Sequence, residues 1–392
     1  MKKALLILFF ASTFISGGCT NVKPVVVTIS NPIKIDRVDE IAEISMKDVS
    51  KKLQLDNKSQ LIIIDENNKE IPYQITYNDK LIFPVSVKAR GKVKYYISIG
   101  TPTVVETVAC GRQYPERLDD MAWENDKAAY RAYGPALQKR GERAFGYDVW
   151  TKSTSHPVVE ERYDGDINKK ISYHVDHGNG LDCYSVGPTL GGGTAALFPD
   201  STIIYPYCYN DYEILDNGPL RFSVKLVYNP ITMKEDTNIV ETRIISLDKG
   251  SHLNKTEVTY ANLTKITPVI TGIVVHKEHP DGHSINLEKR YISYADSTDN
   301  PRNNNGVIYI GAVFPSKIEG ATIQLFPESM RKERGGALGH VISVSKYIPG
   351  DKYTYYWGSG WSKCGFATEN EWNKYLGEYS SRLDNPLNID MK

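Results

Sequence analysis

Short stretches in which apolar and polar residues alternate recur along most of this chain and limit the folds it can adopt. Successive side chains of a β-strand point to opposite faces, so alternation with a period of two residues is typical of strands that bury one face. The clearest stretches are Arg221–Tyr228 and residues 238–247, 252–260 and 269–276. Amphipathic helices are scarce, and the best candidate is residues 369–380. The sequence therefore predicts an all-β fold built from antiparallel sheets.

The strand candidates divide the chain into two β-regions. Residues 25–108 contain short candidates separated by turn signals such as Asp65-Glu66-Asn67-Asn68, which predicts a small N-terminal β-sandwich, with one short helix within residues 38–53. Residues 109–385 contain more and longer candidates and predict a large antiparallel double sheet. The length of 392 residues agrees with two units, because one ordinary domain has roughly 100–200 residues.

The N-terminus has the order of charged, apolar and small residues that is typical of a secretory signal. Two lysines precede an apolar stretch over residues 4–15, and small residues 16–18 stand before Cys19. This order resembles a bacterial lipoprotein signal, so we expect residues 1–18 to be removed, Cys19 to be lipidated and residues 19–24 to form the linker. The alternative is an ordinary secretory signal. The expected location is the cell envelope, at the periplasmic face because no acidic cluster follows Cys19.

The charge balance argues against a nucleic-acid partner. Lys and Arg together number 47, as do Asp and Glu, so the formal net charge is zero and no broad basic field is expected. No apolar run after residue 15 approaches the roughly 20 residues that a membrane-spanning helix requires. Membrane contact is therefore expected through the N-terminal lipid only. Tyrosine is abundant, at 26 residues against 10 Phe, and its apolar face and polar edge suit amphiphilic ligands such as sugars.

Two groups of histidines are the first candidates for catalysis. His174 and His177 flank Asp176 before a glycine-containing turn, and a second group begins at His276. A carboxylate beside an imidazole fixes its tautomer and raises its basicity, as a general base requires. Residues two apart in a strand share a face, so Asp176 is expected to support His174. The alternatives are a metal site, although no HExxH motif occurs, and polar side chains at a strand end.

Arginines are candidates for binding an acidic ligand. Arg112, Arg117 and Arg131 stand on either side of the segment Trp123-Glu124-Asn125-Asp126. A planar guanidinium is a natural bidentate partner for a substrate carboxylate. The alternative is an internal network of these arginines with nearby aspartates.

Aromatic residues near the C-terminus form a further candidate. Trp357 and Trp361 are interleaved with glycine and followed by Lys363. This arrangement predicts a platform on which a sugar ring stacks. The alternative is that the two tryptophans belong to the core as part of the last strand.

Several blocks combine these candidates in a distinctive way: Tyr114-Pro115-Glu116-Arg117, Trp123-Glu124-Asn125-Asp126, Tyr173-His174-x-Asp176-His177-Gly178 and Trp357-Gly358-x-Gly360-Trp361-Ser362-Lys363. In them the chain resembles an uncharacterised-domain lipoprotein family from polysaccharide-utilisation systems of Bacteroidota. That family is related to the galactose-mutarotase-like β-supersandwich, which the resemblance implies for residues 109–385. Some members look like oligosaccharide dehydratases, which remove water from a non-reducing-end uronic acid and leave a 4,5-unsaturated sugar.

The resemblance implies a lyase that acts on an acidic oligosaccharide by acid–base chemistry and uses no cofactor or metal. The base is expected at His174 or His177, supported by Asp176, and the acid at Tyr184 or His276. Substrate contacts are expected at Arg112, Glu124, Asn125, Arg131, Trp357, Trp361 and Lys363. Two alternatives remain open, a sugar mutarotase or epimerase and a non-catalytic glycan-binding lipoprotein.

We expect the full-length protein in the membrane fraction and Cys19→Ala in the soluble fraction, because an acyl group on Cys19 would be the anchor. Fractionation and mass measurement of the mature N-terminus check this expectation. Equal solubility of the two forms would show that Cys19 is not lipidated.

Overall fold

The computed structural model describes residues 23–297 and 301–392, which fold mainly into antiparallel strands. This confirms the predicted all-β class. The predicted signal peptide and the lipidation site Cys19 lie outside the described residues. Within the part of the chain that is described, no helix is long and apolar enough to cross a membrane.

The first region is a small sandwich of two sheets around one apolar core. Strands β1, β3, β4 and β7 belong to one sheet, and β2, β5 and β6 to the other. The predicted helix is α1, which begins where the Ser45 hydroxyl accepts a hydrogen bond from the Asp48 amide. The elements are β1 (Val25–Ser30), β2 (Arg37–Ser45), α1 (Met46–Leu53), β3 (Leu61–Asp65), β4 (Glu70–Ile71), β5 (Gln74–Ile75), β6 (Lys80–Val87) and β7 (Lys92–Ile99).

A four-stranded sheet follows, with its strands in the order β11, β10, β9, β8. One face packs into the main core, and the other is covered by α3 and the segment after it. The elements are β8 (Cys110–Tyr114), β9 (Asp120–Glu124), β10 (Ala128–Ala132), α2 (Pro135–Lys139), β11 (Asp148–Thr151) and α3 (Val159–Lys169), with a short 3-10 turn at Pro115–Arg117.

The rest of the chain forms a nine-stranded sheet and a four-stranded sheet that pack face to face, and its last strand joins the first region. Its strands are β12 (Gly192–Leu197), β13 (Tyr209–Asn217), β14 (Arg221–Tyr228), β15 (Ile231–Met233), β16 (Asp236–Asp248), β17 (Leu253–Ala261), β18 (Thr267–Val275), β19 (His283–Asn286), β20 (Tyr291–Asp296), β21 (Ile308–Val313), β22 (Gly320–Leu325), β23 (Gly339–Tyr347), β24 (Tyr353–Trp361) and β25 (Asn388–Met391). Its helices are α4 (Glu328–Arg331) and α5 (Glu369–Asp384), with 3-10 turns at Pro199–Ser201, Pro301–Asn303 and Lys332–Arg334.

The larger sheet has nine strands, in the order β13, β14, β16, β17, β24, β21, β20, β19, with β15 paired to β16. The facing sheet has four strands, in the order β12, β18, β23, β22. Buried and partly exposed residues alternate along β16, as the sequence pattern predicts for a strand with one face in the core. The C-terminal strand β25 pairs with β1, so the chain ends in the first sheet of the N-terminal sandwich.

Trp357 and Trp361 lie in the main core, which contradicts the predicted sugar-stacking platform. The Trp357 ring is fully buried and stacks on Tyr147 with a centroid distance of 4.1 Å. Its indole nitrogen donates to Thr256, and that of Trp361 donates to the Asn305 carbonyl. A ring that is packed on protein atoms offers no free face to a sugar.

The glycines between these tryptophans serve the packing of α5. A Cβ atom on Gly360 would lie 2.5 Å from the Phe366 ring and 2.9 Å from the Trp372 ring. Trp372 belongs to α5, which covers the outer face of the larger sheet at β20 and β21. The alternation of tryptophan and glycine in β24 therefore reflects the two faces of the sheet. The tryptophans point into the core, and the glycines face outward, where Gly360 leaves room for the packing of α5.

We expect Trp357→Ala to lower the free energy of unfolding by about 3–5 kcal/mol, because it leaves a large cavity in the core. Denaturant unfolding followed by fluorescence or circular dichroism measures this change. The control is Tyr212→Ala, at a position 37% exposed, where about 0.5 kcal/mol or less is expected. A Trp357→Ala protein with unchanged stability would show that the ring is not part of the core.

Candidate functional site

A buried arginine with three carboxylates lies on the side of the four-stranded sheet that faces α3. Arg131 on β10 is 2.5 Å from Asp148, 3.2 Å from Asp182 and 3.5 Å from Asp120. Asp148 is its direct neighbour on β11, whereas Asp182 comes from the irregular segment after α3. The guanidinium is already neutralised by protein carboxylates, so the predicted role of Arg131 as a substrate-carboxylate ligand is not supported. Its role is to hold the segment around Asp182 against the sheet.

The three aspartates differ in environment. Asp148 also accepts hydrogen bonds from the Trp150 indole and the Val149 amide, which favour its charged form. Burial raises the pKa of Asp120, and its Oδ1 has no hydrogen-bond partner among the described residues. One arginine beside three carboxylates leaves excess negative charge, which Asp120 relieves most readily by taking up a proton.

Asp182 connects this network to His174. The His174 Nδ1 is 3.1 Å from the Asp182 carbonyl oxygen and 3.7 Å from its carboxylate. A carbonyl only accepts hydrogen bonds, so Nδ1 carries the proton and Nε2 is the basic nitrogen of the neutral ring. The side chain is 52% exposed, so the histidine is accessible from solvent. His174 therefore has the tautomer and the access that a general base needs.

Asp176 and His177 have other roles than the predicted ones. The segment that contains them forms turns rather than a strand, so His174 and Asp176 do not share a strand face. The Asp176 carboxylate accepts hydrogen bonds from the amides of Gly178 and Gly180 and thereby holds the turn. The exposed His177 donates to the Ser172 carbonyl and lines a pocket of about 240 Å³ that does not include His174.

A second histidine–carboxylate pair lies next to Tyr184, which follows Asp182 by two residues. The His276 Nδ1, just after β18, donates to the Asp296 carboxylate on β20 at 2.8 Å. The His276 ring also lies edge-on to the Tyr184 ring, with centroids 6.1 Å apart. Burial disfavours the charge on His276, but the hydrogen bond and the charge of Asp296 outweigh it and raise the pKa of the imidazole. We refer to His174, Asp182, Tyr184, His276 and Asp296 as the His–Tyr cluster.

The hydroxyl of Tyr184 is buried and has no hydrogen-bond partner among the described residues. Burial raises the pKa of this phenol well above its usual value, and the nearby Asp296 raises it further. The group therefore stays protonated at neutral pH. Buried hydroxyls nearly always have a partner, and an unpaired one beside a histidine and two aspartates is a candidate hydrogen-bond donor to a ligand.

Arg117 is the cation beside this cluster that the protein leaves available. It is half-buried after β8 and donates through Nε and Nη2 to the Tyr173 hydroxyl, next to His174. Among the described residues no carboxylate lies within ion-pair distance of Arg117, unlike Arg112 and Arg131. Arg112 is bound by the carboxylates of Glu116 and Glu160, so its predicted substrate contact is not supported.

Two of the other predicted substrate contacts have structural partners. Glu124 is buried, pairs with Lys152 at 2.5 Å and accepts hydrogen bonds from two amides at the start of α3. Asn125 is fully buried and shapes the turn between β9 and β10 through its bond to the Lys127 amide. Their pairing with protein groups does not support a role in substrate binding. Lys363 is exposed after β24, with its ammonium group 5.8 Å from the Trp361 ring, and its substrate contact stays a prediction.

Sequence reasoning found His174, Tyr184 and His276 as candidates, but it missed their carboxylate partners. Asp182 stands two residues before Tyr184, and this spacing is a signal that could have identified it. Asp296 is the last residue of the fully buried strand β20, and nothing in the local sequence distinguishes it. Its pairing with His276 depends on the neighbouring positions of β18 and β20 in space.

Comparisons with known proteins identify a family and one full-length relative. A family described as a domain of unknown function, DUF4861, matches residues 29–389. The uncharacterised protein P7 of Formosa agariphila is 26% identical over 412 residues, with both chains fully covered.

Two solved structures from Enterococcus faecalis are also similar. One is a protein in glycosyl hydrolase family 38, with 9% identity and a TM-score of 0.48, and the match covers 95% of this chain and 48% of that one. The other is an alpha-mannosidase, also 9% identical, with a TM-score of 0.47 and coverage of 95% and 46%. The chain thus spans about half the length of these two proteins.

We expect Tyr184→Phe to leave the free energy of unfolding unchanged or to raise it, because a buried hydroxyl without a partner contributes a desolvation cost and no hydrogen bond. The matched control is Tyr130→Phe. The Tyr130 hydroxyl donates to the His252 carbonyl and accepts from the Ser359 amide, so its loss should cost about 0.5–1.5 kcal/mol per bond. Denaturant unfolding compares the two variants. A larger loss for Tyr184→Phe than for Tyr130→Phe would show that Tyr184 has a structural partner.

Proposed function

The chain belongs to the DUF4861 family, and on this premise we propose that it acts on carbohydrate and eliminates water across C4–C5 of a non-reducing-end uronic acid in an oligosaccharide. The observation that carries the proposal is the unpaired Tyr184 hydroxyl beside His276 and Asp296, on the same segment as the partner of His174. The resemblance to dehydratase-like family members supports the choice of reaction. The lipoprotein-type N-terminus supports a place at the periplasmic face of the cell envelope.

The proposed base is His174. Elimination begins with removal of the weakly acidic C5 proton, and a neutral imidazole suits this step near neutral pH. The hydrogen bond from Nδ1 to the Asp182 carbonyl leaves Nε2 to accept the proton, and the half-exposed ring is open to a sugar. Asp182 then stabilises the imidazolium that forms. His174 thus replaces the pair of candidates that the sequence left open.

The proposed acid is His276, assisted by Tyr184. The C4–O4 bond breaks when O4 receives a proton, so the group that supplies it must be protonated beforehand. Asp296 raises the pKa of His276 and so favours its protonated form, and burial raises the pKa of Tyr184, which keeps the phenol protonated at neutral pH. The Tyr184 hydroxyl donates a hydrogen bond to the substrate and orients O4.

The proposed ligand of the uronic-acid carboxylate is Arg117. Removal of the C5 proton places negative charge on this carboxylate, so a cation that strengthens its contact as charge develops lowers the barrier. Arg117 fits this role because its guanidinium is held by the neutral Tyr173 hydroxyl, while the nearby Asp120 is beyond ion-pair distance from it and pairs with Arg131 instead. It replaces Arg112 and Arg131, whose charges are taken up by internal carboxylates.

The test is to incubate the purified protein with oligosaccharides that end in a uronic acid and to follow two signals. Mass spectrometry should detect the loss of one water, and ultraviolet absorbance should detect the new conjugated double bond. Isomerised sugar without mass loss would overturn elimination in favour of the epimerase alternative. Binding without any conversion would overturn it in favour of a glycan-binding protein, and loss of activity with chelator would favour a metal site.

His174→Ala and His276→Gln should each lower kcat by about 10²–10⁴-fold, the range expected when a general base or acid is removed. His177→Ala and His156→Ala are the controls, because His177 faces the other pocket and the exposed His156 pairs with Glu106. Asp296→Asn should move the basic limb of the pH–rate profile to lower pH, because without the carboxylate the pKa of His276 falls and its proton is lost earlier. An unmoved basic limb would exclude His276 as the acid.

A further inference from the structure

A second group of aromatic rings lies apart from the His–Tyr cluster. Phe145 contacts Tyr205 and Tyr207, with ring centroids 5.4 and 6.0 Å apart. The ring planes are tilted by 37° and 38°, so neither Tyr205 nor Tyr207 stacks flat on Phe145. Tyr207 is 47% exposed, and the other two are half-buried. We refer to Phe145, Tyr205 and Tyr207 as the aromatic platform.

Arg334 supports this platform from below. Its guanidinium lies 4.2 Å from the centroid of the Tyr205 ring and donates through Nη1 to the Pro188 carbonyl at 2.9 Å. Its Nε is buried without a hydrogen-bond partner among the described residues. A cation against one face of an aromatic ring holds that ring in place and adds positive charge to the surface. Arg334 therefore holds the Tyr205 ring in place and brings a positive charge next to the platform.

Exposed basic residues continue from the platform. Lys139 ends α2, and Arg140 and Arg143 follow it before Phe145; none of the three has a carboxylate within ion-pair distance among the described residues. We refer to residues 139–144 as the basic loop, which carries one acidic residue, Glu142. Unpaired cations beside open aromatic faces match an anionic ligand with flat apolar faces.

Two chain segments connect the platform to the His–Tyr cluster. The Tyr184 ring lies edge-on to His276, and four residues later the Pro188 carbonyl accepts a hydrogen bond from Arg334, so at most about 14 Å of chain separates these two contacts. The basic loop makes the second connection. It lies between Tyr133, which stacks under the Arg131 guanidinium, and Phe145.

We propose that the aromatic platform and the basic loop form a further subsite that binds an anionic sugar residue, carboxylated or sulfated, of a substrate longer than a disaccharide. This rests on the proposed function, because it names the length and the charge of that substrate. The sugar ring lies on Tyr207 and Phe145, and Arg143 and Arg140 contact its anionic groups. The terminal uronic acid meanwhile occupies the His–Tyr cluster. Substrate length and charge are then selected outside the reacting centre.

The first test compares kcat/KM for a disaccharide and a tetrasaccharide that end in the same uronic acid. Tyr207→Ala should lower the ratio of kcat/KM for the tetrasaccharide to kcat/KM for the disaccharide by about 3- to 10-fold, as expected for the loss of one aromatic contact. Tyr77→Ala is the matched control, because Tyr77 is also 47% exposed but lies in the N-terminal sandwich. Arg143→Gln should lower the ratio at low salt and make it less salt-dependent, whereas Lys58→Gln should not. An unchanged ratio in both Tyr207→Ala and Arg143→Gln would overturn the subsite.

The second test does not depend on turnover. The proteins are run in native gels that contain polygalacturonate, a sulfated carrageenan or neutral dextran. Wild type should be retarded by at least one of the acidic gels and Tyr207→Ala less so, and the gel that retards more identifies the anion. Retardation by dextran as strong as by the acidic gels, or equal retardation of Tyr207→Ala and wild type, would overturn the subsite.

The two tests separate the subsite from the proposed reaction. If wild type converts none of the oligosaccharides but is retarded more strongly than Tyr207→Ala, the subsite is supported and only the proposed reaction is overturned. Conversion with an unchanged length ratio and unchanged retardation overturns only the subsite. Circular dichroism and the unfolding midpoint confirm that each variant is folded before either comparison is made.

Discussion

The interaction on which the candidate site depends is the buried contact of Arg131 with Asp120, Asp148 and Asp182. It joins β9, β10 and β11 to a segment with no regular secondary structure. Backbone hydrogen bonds hold part of that segment, such as the one that the Thr151 amide of β11 donates to the Leu181 carbonyl, and the contact of Arg131 with Asp182 adds a side-chain link to the sheet. Removing one partner from a buried ion pair typically costs about 3–5 kcal/mol, since the remaining charge is left uncompensated. The network is therefore able to keep Asp182, and with it His174 and Tyr184, in a defined place.

The polar atoms around this network differ in whether the protein itself supplies them with a hydrogen-bond partner. The protein satisfies many polar groups around the site, with Asp148, Asp176 and Glu124 each accepting two or more hydrogen bonds. Some buried polar atoms there have no hydrogen-bond partner among the described residues, including the Tyr184 hydroxyl, the Asp120 Oδ1 and the Arg131 Nε. Local rules that are broken within a small part of a structure are typical of functional sites. A ligand that accepts a hydrogen bond from Tyr184 would give this hydroxyl the partner that it lacks within the described protein.

Particular residues show how far sequence reasoning reached. Alternation predicted β14 over its full length and α5 to within a few residues, because a period of two or 3.6 residues reflects local geometry. The same reasoning was wrong about Trp357 and Trp361. A tryptophan–glycine alternation is compatible both with an exposed platform and with a strand between a core and a helix, and only the position of α5 distinguishes them. The aromatic platform was missed for the opposite reason, since Phe145, Tyr205 and Arg334 are distant in sequence and meet through three separate loops.

The sequence by itself determined the all-β class, most of the strands, and the candidacy of His174, Tyr184 and His276, because hydrophobic period and side-chain chemistry are properties of short segments. The tertiary structure alone decided which carboxylate each histidine meets and which arginine is left without one. Asp176 stands two residues from His174 yet holds a glycine turn, while Asp296, 20 residues from His276, binds it. Hydrogen bonds and ion pairs form over about 3–4 Å in space. Neighbouring strands bring together residues that are far apart along the chain, so separation in sequence does not predict which side chains meet.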